Sequence, residues 1–318
     1  MSYPYERPRR PTLSHRVEHV STLSIRAVMA MLPMWSYAPL ARLLSCLWYY
    51  LLPIRRDMVL QNLALAFPDK PVAWRRVTAR ACMTHFWLSM GFESVALYRR
   101  GRKALPRMLA EGIEGYEHME PLMREGKPCI ILGAHFGNWE LGVSYFSGVE
   151  GLPVTGVAKP MHNPLIEAGI ERHRNAWGWE TISTRGDPIR RIMKAFRAGT
   201  FPAMLADQDA RRNGVFVPFF GRMASTPTGP AVLAVRLKVP IVVILCRRSE
   251  TDGLYHLRCY PPLMPDPEAD RAAETERLTR AHVAILEEAI REHPEQYFWF
   301  HRRWKTRPKA QRASRERD

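Results

Sequence analysis

A histidine and a glutamate five residues apart are the pair in this sequence best suited to acid–base chemistry. His135 and Glu140 bound the run His-Phe-Gly-Asn-Trp-Glu, which follows an apolar segment. On a continuous helix, residues five apart lie about 140° apart around the axis, so this pair can meet only if His135 lies in a turn and Glu140 in the first helical turn. A carboxylate bound to one imidazole nitrogen leaves the other free to take a proton. We therefore predict that His135 is a general base oriented by Glu140.

The residues between this pair favour a turn that leads into a helix. Gly137 supplies the conformational freedom of the turn, and Asn138 is a suitable N-cap. A purely structural interpretation remains open, because a core histidine satisfied by a nearby acid has the same sequence pattern.

The sequence contains no motif for covalent catalysis. It has no Gly-x-Ser-x-Gly elbow, and Cys129 lies inside an apolar segment, where a buried thiol is inert. The five cysteines include no Cys-x-x-Cys pair, so neither a disulfide framework nor a zinc site is indicated, and a reducing cytoplasm fits best. No Gly-rich nucleotide loop is present, and we predict no cofactor.

Two aspartates, Asp207 and Asp209, flank Gln208 at the end of a predicted strand. A carboxylate pair of this kind can bind a metal, but no third ligand stands at a useful spacing, so we predict no metal site. The structural alternative is loop capping with ion pairs to Arg211 or Arg212.

Strand-like and helix-like segments alternate around these residues. Candidate strands span 129–132, 153–158, 201–205, 240–246 and 255–260; candidate helices span 57–67, 72–98, 139–146, 164–177, 188–198, 229–238 and 269–292. This alternation predicts an α/β fold with a central, largely parallel mixed sheet flanked by helices. Ligands of such sheets bind beyond the carboxyl ends of the strands, which is where His135 falls.

The N-terminal region is apolar but interrupted. Residues 27–41 and 43–54 are uncharged, and Arg42 separates them. Neither run reaches the roughly 20 residues of a confident spanning helix, and no cleavage site follows. Two alternatives remain, a bent or single-span anchor with a snorkelling arginine and an amphipathic helix in the membrane interface.

These features divide the chain into three predicted parts. Residues 1–54 form the basic N-terminus and the hydrophobic helical anchor or interfacial helix, residues 55–308 the catalytic domain, and residues 309–318 a basic tail. With 318 residues and 46% hydrophobic content, the chain is long enough to bury one large core.

The net charge of +16 is concentrated at the ends of the chain. Such ends are often simply solvated, but beside an apolar segment they attract an anionic membrane surface. The same field attracts phosphorylated glycolipids and an acidic carrier protein. No nucleic-acid recognition motif is present, so we predict no nucleic-acid partner.

Several ordered segments resemble one family. They are the His-x4-Glu run, Ala-Asp-Gln-Asp at 206–209, Val-Phe-Val-Pro-Phe-Phe-Gly at 215–221, Thr-Pro-Thr-Gly at 226–229 and the aromatic and basic run at 294–308. From about residue 55 to residue 308 the chain resembles the late (secondary) acyltransferases of lipid A biosynthesis, which include lauroyl and myristoyl acyltransferases. This is a branch of the lysophospholipid acyltransferase superfamily, in which aspartate is the more common acid.

The resemblance implies an acyltransferase on the cytoplasmic face of the inner membrane. It would transfer a fatty acyl chain from an acyl carrier protein or coenzyme A thioester to a hydroxyl of a phosphorylated lipid A precursor, without a covalent intermediate. Two alternatives remain open: another acceptor, such as a phosphatidylinositol mannoside or a lysophospholipid, and a non-catalytic membrane-binding homologue.

The resemblance also implies roles for residues outside the His-x4-Glu pair. Arg174 lies in the helix after Asn163-Pro164 and is a candidate oxyanion donor, as are backbone amides near Gly137 or at the next helix start. The remaining candidates are substrate-binding residues. Asn138, Asp207 and Gln208 would line the site, and Asp207 would position either His135 or the acceptor sugar. Arg302 and Arg303 would bind sugar phosphates.

Overall fold

The computed structural model describes residues 10–308, so the first nine residues of the predicted basic N-terminus and the predicted tail at 309–318 lie outside the described residues. The helices are α1 Leu13–Met31, α2 Tyr37–Tyr50, α3 Arg56–Ala66, α4 Val72–Phe86, α5 Ser94–Arg100, α6 Glu120–Arg124, α7 Trp139–Gly148, α8 Pro164–Ala176, α9 Pro188–Arg197, α10 Gly229–Leu237 and α11 Arg271–Glu292. The strands are β1 Leu109–Glu114, β2 Ile130–Gly133, β3 Val154–Ala158, β4 Glu180–Ser183, β5 Phe201–Leu205, β6 Gly214–Phe219, β7 Arg222–Pro227, β8 Ile241–Arg248 and β9 Tyr255–Cys259.

Seven strands form the central sheet, in the order β1-β9-β8-β2-β5-β3-β4. Every neighbouring pair is parallel except β8 and β9, which are antiparallel. This confirms the predicted fold class. The sequence did not predict β1, β4 or the separate antiparallel hairpin of β6 and β7. Both β1 and β4 are edge strands with few buried residues, so they lack the apolar pattern of the inner strands.

Two hydrophobic clusters cover the two faces of the sheet, because successive side chains of a strand point to opposite sides. Ile130 and Leu132 of β2 join the cluster that contains α10 and α11 residues. Ile131, between them, joins the cluster that contains Leu141 and Phe146 of α7. The inner strands are therefore buried on both faces, and their carboxyl ends open at one edge.

The N-terminal helix α1 contacts the protein partly through polar groups and leaves many of its apolar side chains exposed. Asn163, at the start of α8, donates to the His15 carbonyl and to Glu18 Oε2, each at 2.9 Å. The Arg26 guanidinium lies 4.4 Å from the ring centre of Tyr98 in α5. The exposed side carries Leu13, Val17, Val20, Leu23, Ile25, Val28 and Met31.

No helix in the described part of the chain is, by itself, both long and apolar enough to cross a bilayer. Helix α1 and the segment Met34–Tyr50 meet those criteria together, with a bend of 111° between them. A weak, bent anchor is therefore compatible with this region.

Candidate active site

His135 and Asp207 meet because β2 and β5 are parallel neighbours. Gly133 pairs with Leu205, and each of the two side chains follows two residues after its paired position. His135 Nδ1 lies 2.8 Å from Asp207 Oδ1, and the His135 main-chain N–H donates to Asp207 Oδ2 at 3.1 Å. Two contacts to one carboxylate fix the ring, place a proton on Nδ1 and leave Nε2 as the basic nitrogen.

Glu140 has a different partner from the one expected. It accepts hydrogen bonds from Arg174 Nε at 3.2 Å and from Arg174 Nη2 at 2.5 Å, while Asp207 occupies the nitrogen of His135 that Glu140 was expected to hold. The expectation that Glu140 orients the imidazole is therefore corrected: that position belongs to Asp207. The physical reason is the direction of α7, which turns its first residues toward α8, where a guanidinium binds the carboxylate with two donors.

A tight turn connects His135 to α7. Gly137 has φ +58°, and a Cβ there would lie 1.8 Å from the Cys246 carbonyl oxygen, so only glycine fits. Asn138 caps α7 by accepting the Leu141 N–H at 3.0 Å, which confirms the predicted N-cap. Because Asn138 is also fully buried, the structure places it beneath the site as a helix cap and not at a surface open to substrate.

The same turn limits which backbone amides can bind an oxyanion. The Gly137 amide donates to the Gln296 carbonyl and the Asn138 amide to the Cys246 carbonyl, each at 3.0 Å. The amides of Trp139 and Glu140, the first two residues of α7, precede the point where intrahelical bonding starts. Of the two expected sources of backbone donors, the helix start remains available.

Burial and the neighbouring carboxylates shift the pKa values of the pair. Burial alone disfavours a charged imidazole, but the Asp207 carboxylate, helped by Glu140, outweighs it and raises the pKa of His135. Burial likewise opposes ionisation of Asp207, yet His135, with a smaller contribution from Arg303, holds the pKa of this carboxyl below its usual value. The surroundings of the pair therefore stabilise the protonated form of His135.

A groove of about 750 Å³, counted with the open space at its mouth, is lined by Ala134 and Phe136, the residues on either side of His135. Its described lining is mostly apolar and includes Phe136, Trp139, Val143, Phe146, Val157 and Trp179. Glu140 and Arg174 are the charged side chains among the described lining residues. An apolar cavity with a few polar groups at one point is typical of a site that binds a largely hydrocarbon ligand.

Arg174 is fixed at this groove from three sides. Besides its two bonds to Glu140, its Nη1 donates to Thr181 Oγ1 at 3.2 Å. Its guanidinium also lies 4.8 Å from the ring centre of Trp179. The side chain is 12% exposed, so it is held in place but still open to a ligand in the groove.

The Asp207-Gln208-Asp209 segment divides between two locations. Gln208 lies at the site, with its Nε2 3.4 Å from His135 Nε2. Asp209 points away and accepts hydrogen bonds from Thr306, including Oγ1 at 2.9 Å. The described residues contain no group of three or more His, Cys, Asp or Glu side chains able to hold a metal ion.

The two arginines near the C-terminus lie in opposite environments. Arg302 is exposed, as expected of a residue that meets a substrate phosphate. Arg303 is only 2% exposed, and donates to the Ser225 carbonyl and to Thr226 Oγ1, both at 2.6 Å. This corrects the expected phosphate contact of Arg303, because the guanidinium is enclosed by the β6–β7 hairpin. Trp304 is half-buried and stacks on Phe219.

Sequence reasoning missed two aromatic residues of the site. Trp179 forms part of the groove and packs against Arg174, and the hydroxyl of buried Tyr297 donates to the Asp207 carbonyl at 3.2 Å. The signal for Trp179 was the aromatic richness of the surrounding segment, which is equally typical of an ordinary core, and Tyr297 lay in the aromatic and basic run at 294–308 without a role of its own.

Comparison with known proteins points to one chemistry. The family described as "Bacterial lipid A biosynthesis acyltransferase" matches residues 10–306. The lipid A biosynthesis lauroyltransferase of Escherichia coli (strain K12) is 31% identical over 269 residues, which are 80% of this chain and 81% of that protein. The lipid A biosynthesis palmitoleoyltransferase of the same strain is 31% identical over 204 residues, 62% of each chain. A phosphatidylinositol mannoside acyltransferase of Mycobacterium tuberculosis (strain ATCC 25618 / H37Rv) is 26% identical over 147 residues, 45% of this chain and 46% of that protein.

Proposed function

Because the chain belongs to the bacterial lipid A biosynthesis acyltransferases and is an acyltransferase, we propose that it transfers a fatty acyl chain from a thioester to a hydroxyl of a phosphorylated lipid A precursor. The observation that carries this proposal is the His135–Asp207 pair next to an apolar groove, which is lined by Ala134 and Phe136, the residues on either side of His135. A base at that position meets the acceptor hydroxyl, while the groove takes the hydrocarbon chain of the donor.

In the proposed mechanism, His135 Nε2 takes the proton of the acceptor hydroxyl as its oxygen attacks the thioester carbonyl. Asp207 keeps the ring in the correct tautomer and stabilises the imidazolium that forms. The tetrahedral intermediate collapses to the new ester, and the departing thiolate takes the proton from His135. General acid–base catalysis of this kind accelerates reactions about 10²- to 10⁴-fold. No acyl-enzyme forms, since the chemistry needs no protein nucleophile.

The developing oxyanion needs donors, and the start of α7 together with Arg174 supplies them in this proposal. The amides of Trp139 and Glu140 lie at a helix N-terminus, which favours negative charge. Arg174 adds a full positive charge at the groove. Glu140 then acts through Arg174, because its carboxylate holds the guanidinium with two hydrogen bonds.

The donor in this proposal is an acyl carrier protein. The net charge of +16 supports this choice, because an acidic carrier is attracted by a basic partner. Coenzyme A thioesters are the alternative. Comparing kcat/KM for the same acyl chain on both carriers distinguishes them, and the difference should shrink as salt screens the attraction.

We place the protein at the inner membrane, with its catalytic domain on the cytoplasmic face. Support comes from the apolar outer side of α1, from exposed Trp35 at the bend after it, and from Leu51, Leu52 and Ile54 after α2. An exposed apolar surface of this extent is typical of a contact with membrane or protein. Exposed Arg302 would then meet a phosphate of the glycolipid acceptor.

The test is an acyl-transfer assay with purified protein, acyl carrier protein loaded with a saturated chain, and a phosphorylated lipid A precursor. We expect a single added ester, and we expect His135→Ala to remove activity while its circular dichroism spectrum is unchanged. A phosphatidylinositol mannoside acceptor belongs in the same panel, because a relative with that name aligns over 45% of this chain. Activity of His135→Ala within tenfold of wild type would contradict the mechanism.

A further inference from the structure

Arg303 is a buried cation whose direct partners are all uncharged. Its two terminal nitrogens donate to the Ser225 carbonyl and to Thr226 Oγ1, and its guanidinium lies 5.1 Å from the ring centre of Phe219. Its Nε has no hydrogen-bond partner among the described residues. Charges are rarely buried without an opposite charge nearby, so this guanidinium needs a counter-charge within the protein.

Asp207 is the complementary case. Its carboxylate is 3% exposed and is bonded to His135, which is uncharged whenever it is ready to act as a base. Asp207 and Arg303 line the same small cavity behind the histidine. The Tyr297 hydroxyl, which donates to the Asp207 carbonyl, also interacts with Arg303. A buried anion without an ionic partner and a buried cation without one therefore share one enclosed space.

We propose that Arg303 is a positioning residue for acyl transfer, because its fixed positive charge holds Asp207 ionised behind His135. This inference rests on the proposed role of His135 as the base. It assigns Arg303 to the interior electrostatics of the His135–Asp207 pair and separates it from Arg302, its exposed neighbour in sequence.

The other groups around the pair do not replace this charge. On the other side of the histidine lies Glu140, which is itself bound to Arg174. Asp209 is held by Thr306, and the hydroxyl of Tyr297 is un-ionised because burial holds its pKa well above its usual value.

Two histidines also face the carboxylate. His282 of α11 borders the shared cavity, and burial, reinforced by Arg303, lowers its pKa to about 4. His301 accepts the Asp209 N–H, and its pKa is lowered mainly by burial. Both are therefore neutral near pH 7, which leaves Arg303 as the fixed cation on the Asp207 side of the described site.

The direction of the effect follows from charge. The active form, with neutral His135 and ionised Asp207, carries one negative charge more than the form with an added proton. A nearby cation favours the active form, wherever in the pair the added proton resides. Removing the cation therefore moves the protonation of the pair to higher pH.

The experiment compares Arg303→Gln, which removes the charge but keeps a donor for Ser225, with Arg303→Lys, which keeps the charge. We expect the acidic limb of kcat/KM against pH to move up by about one pH unit or more in Arg303→Gln, and by clearly less in Arg303→Lys. Arg302→Gln is the matched control and should leave the limb in place, whatever it does to KM. An unshifted limb in a folded Arg303→Gln variant, or equal shifts in the Gln and Lys variants, overturns the proposal.

Two further measurements keep the proposal testable if activity or folding fails. The ¹⁵N chemical shifts of labelled His135 report its titration without turnover, so a shifted titration in an inactive protein would contradict the proposed function and support the role of Arg303. If Arg303→Gln does not fold, the double variant Asp207→Asn/Arg303→Gln should fold better and melt at a higher temperature, because both buried charges are gone. A double variant no more stable than the single one overturns the pairing.

Discussion

The carboxylate of Glu140 is held by two hydrogen bonds from Arg174, a residue 34 positions later in the chain. The two members of the His-x4-Glu run therefore belong to two neighbouring hydrogen-bonded pairs, His135 with Asp207 and Glu140 with Arg174. One pair is suited to move a proton, and the other to place a positive charge beside the groove.

The first prediction concerns the carboxylate behind the base. Asp207→Asn should lower kcat by about 10²- to 10⁴-fold, because an amide neither stabilises the imidazolium nor enforces the correct tautomer. Asp209→Asn is the matched control and should stay within a few fold of wild type, since Asp209 binds Thr306 and not His135. Steady-state kinetics with a thermal-melt control measures both. Equal losses of kcat in the two variants would contradict the specific role of Asp207.

The second prediction is that Glu140 and Arg174 act as one unit. Glu140→Gln and Arg174→Gln should each reduce kcat about 10²- to 10³-fold, the usual effect of losing one oxyanion donor. The double variant should be little worse than either single one, because the second change removes an interaction that is already lost. A double-mutant cycle on kcat measures this coupling. Fully multiplicative losses would indicate that the two residues work separately.

The third prediction is that the groove selects the acyl chain. Val143→Phe should shift the preference toward shorter chains, because a larger side chain fills the space lined by Val143. The control is Val149→Phe, at an exposed valine just beyond the end of α7. Competition between carrier-bound chains of different length, read by mass spectrometry, measures the preference. An unchanged product distribution in Val143→Phe would place the acyl chain elsewhere.

The fourth prediction concerns the outer face of α1. The double variant Val17→Asp/Val28→Asp should weaken flotation with anionic liposomes, because both side chains lie on the exposed apolar side. Val232→Asp is the control, at a similarly exposed valine on α10. Equal flotation of all three proteins would count against this face. Point substitutions are used instead of removal of residues 1–54, because α1 and α2 pack on the body of the domain.

The fifth prediction is a pH profile. The neighbouring carboxylates raise the pKa of His135, so kcat/KM should rise through a midpoint above about 6.5, the ordinary histidine value. Glu140→Gln should lower this midpoint, since it removes one of the charges that favour the imidazolium.

The same two groups make the stability of the fold depend on pH. The raised pKa of His135 stabilises the folded state at low pH, and this stabilisation is lost as pH rises through that pKa. The lowered pKa of Asp207 stabilises the folded state at high pH, and this stabilisation is lost as pH falls through that pKa. Kinetics and chemical denaturation across pH 5–9 measure both.

The sequence by itself determined the local parts of the site. The apolar segment before His135 predicted a strand, Gly137 and Asn138 predicted the turn and the helix cap, and the alternation of elements predicted a largely parallel sheet. Each of these depends on periodicity or on the conformational preference of a few adjacent residues, which one chain reveals. The resemblance added Asp207, Gln208 and Arg174, all of which lie at the site.

Only the tertiary structure decided which of these side chains meet. Asp207 orients His135 because β2 and β5 are neighbours in register, although 72 residues separate the two side chains in the chain. Arg303 is buried and Arg302 exposed because the β6–β7 hairpin, which the sequence did not predict, encloses one of them. Strand order and hairpin packing are long-range contacts with no local signature. The sequence could therefore propose the chemical groups, but not their partners.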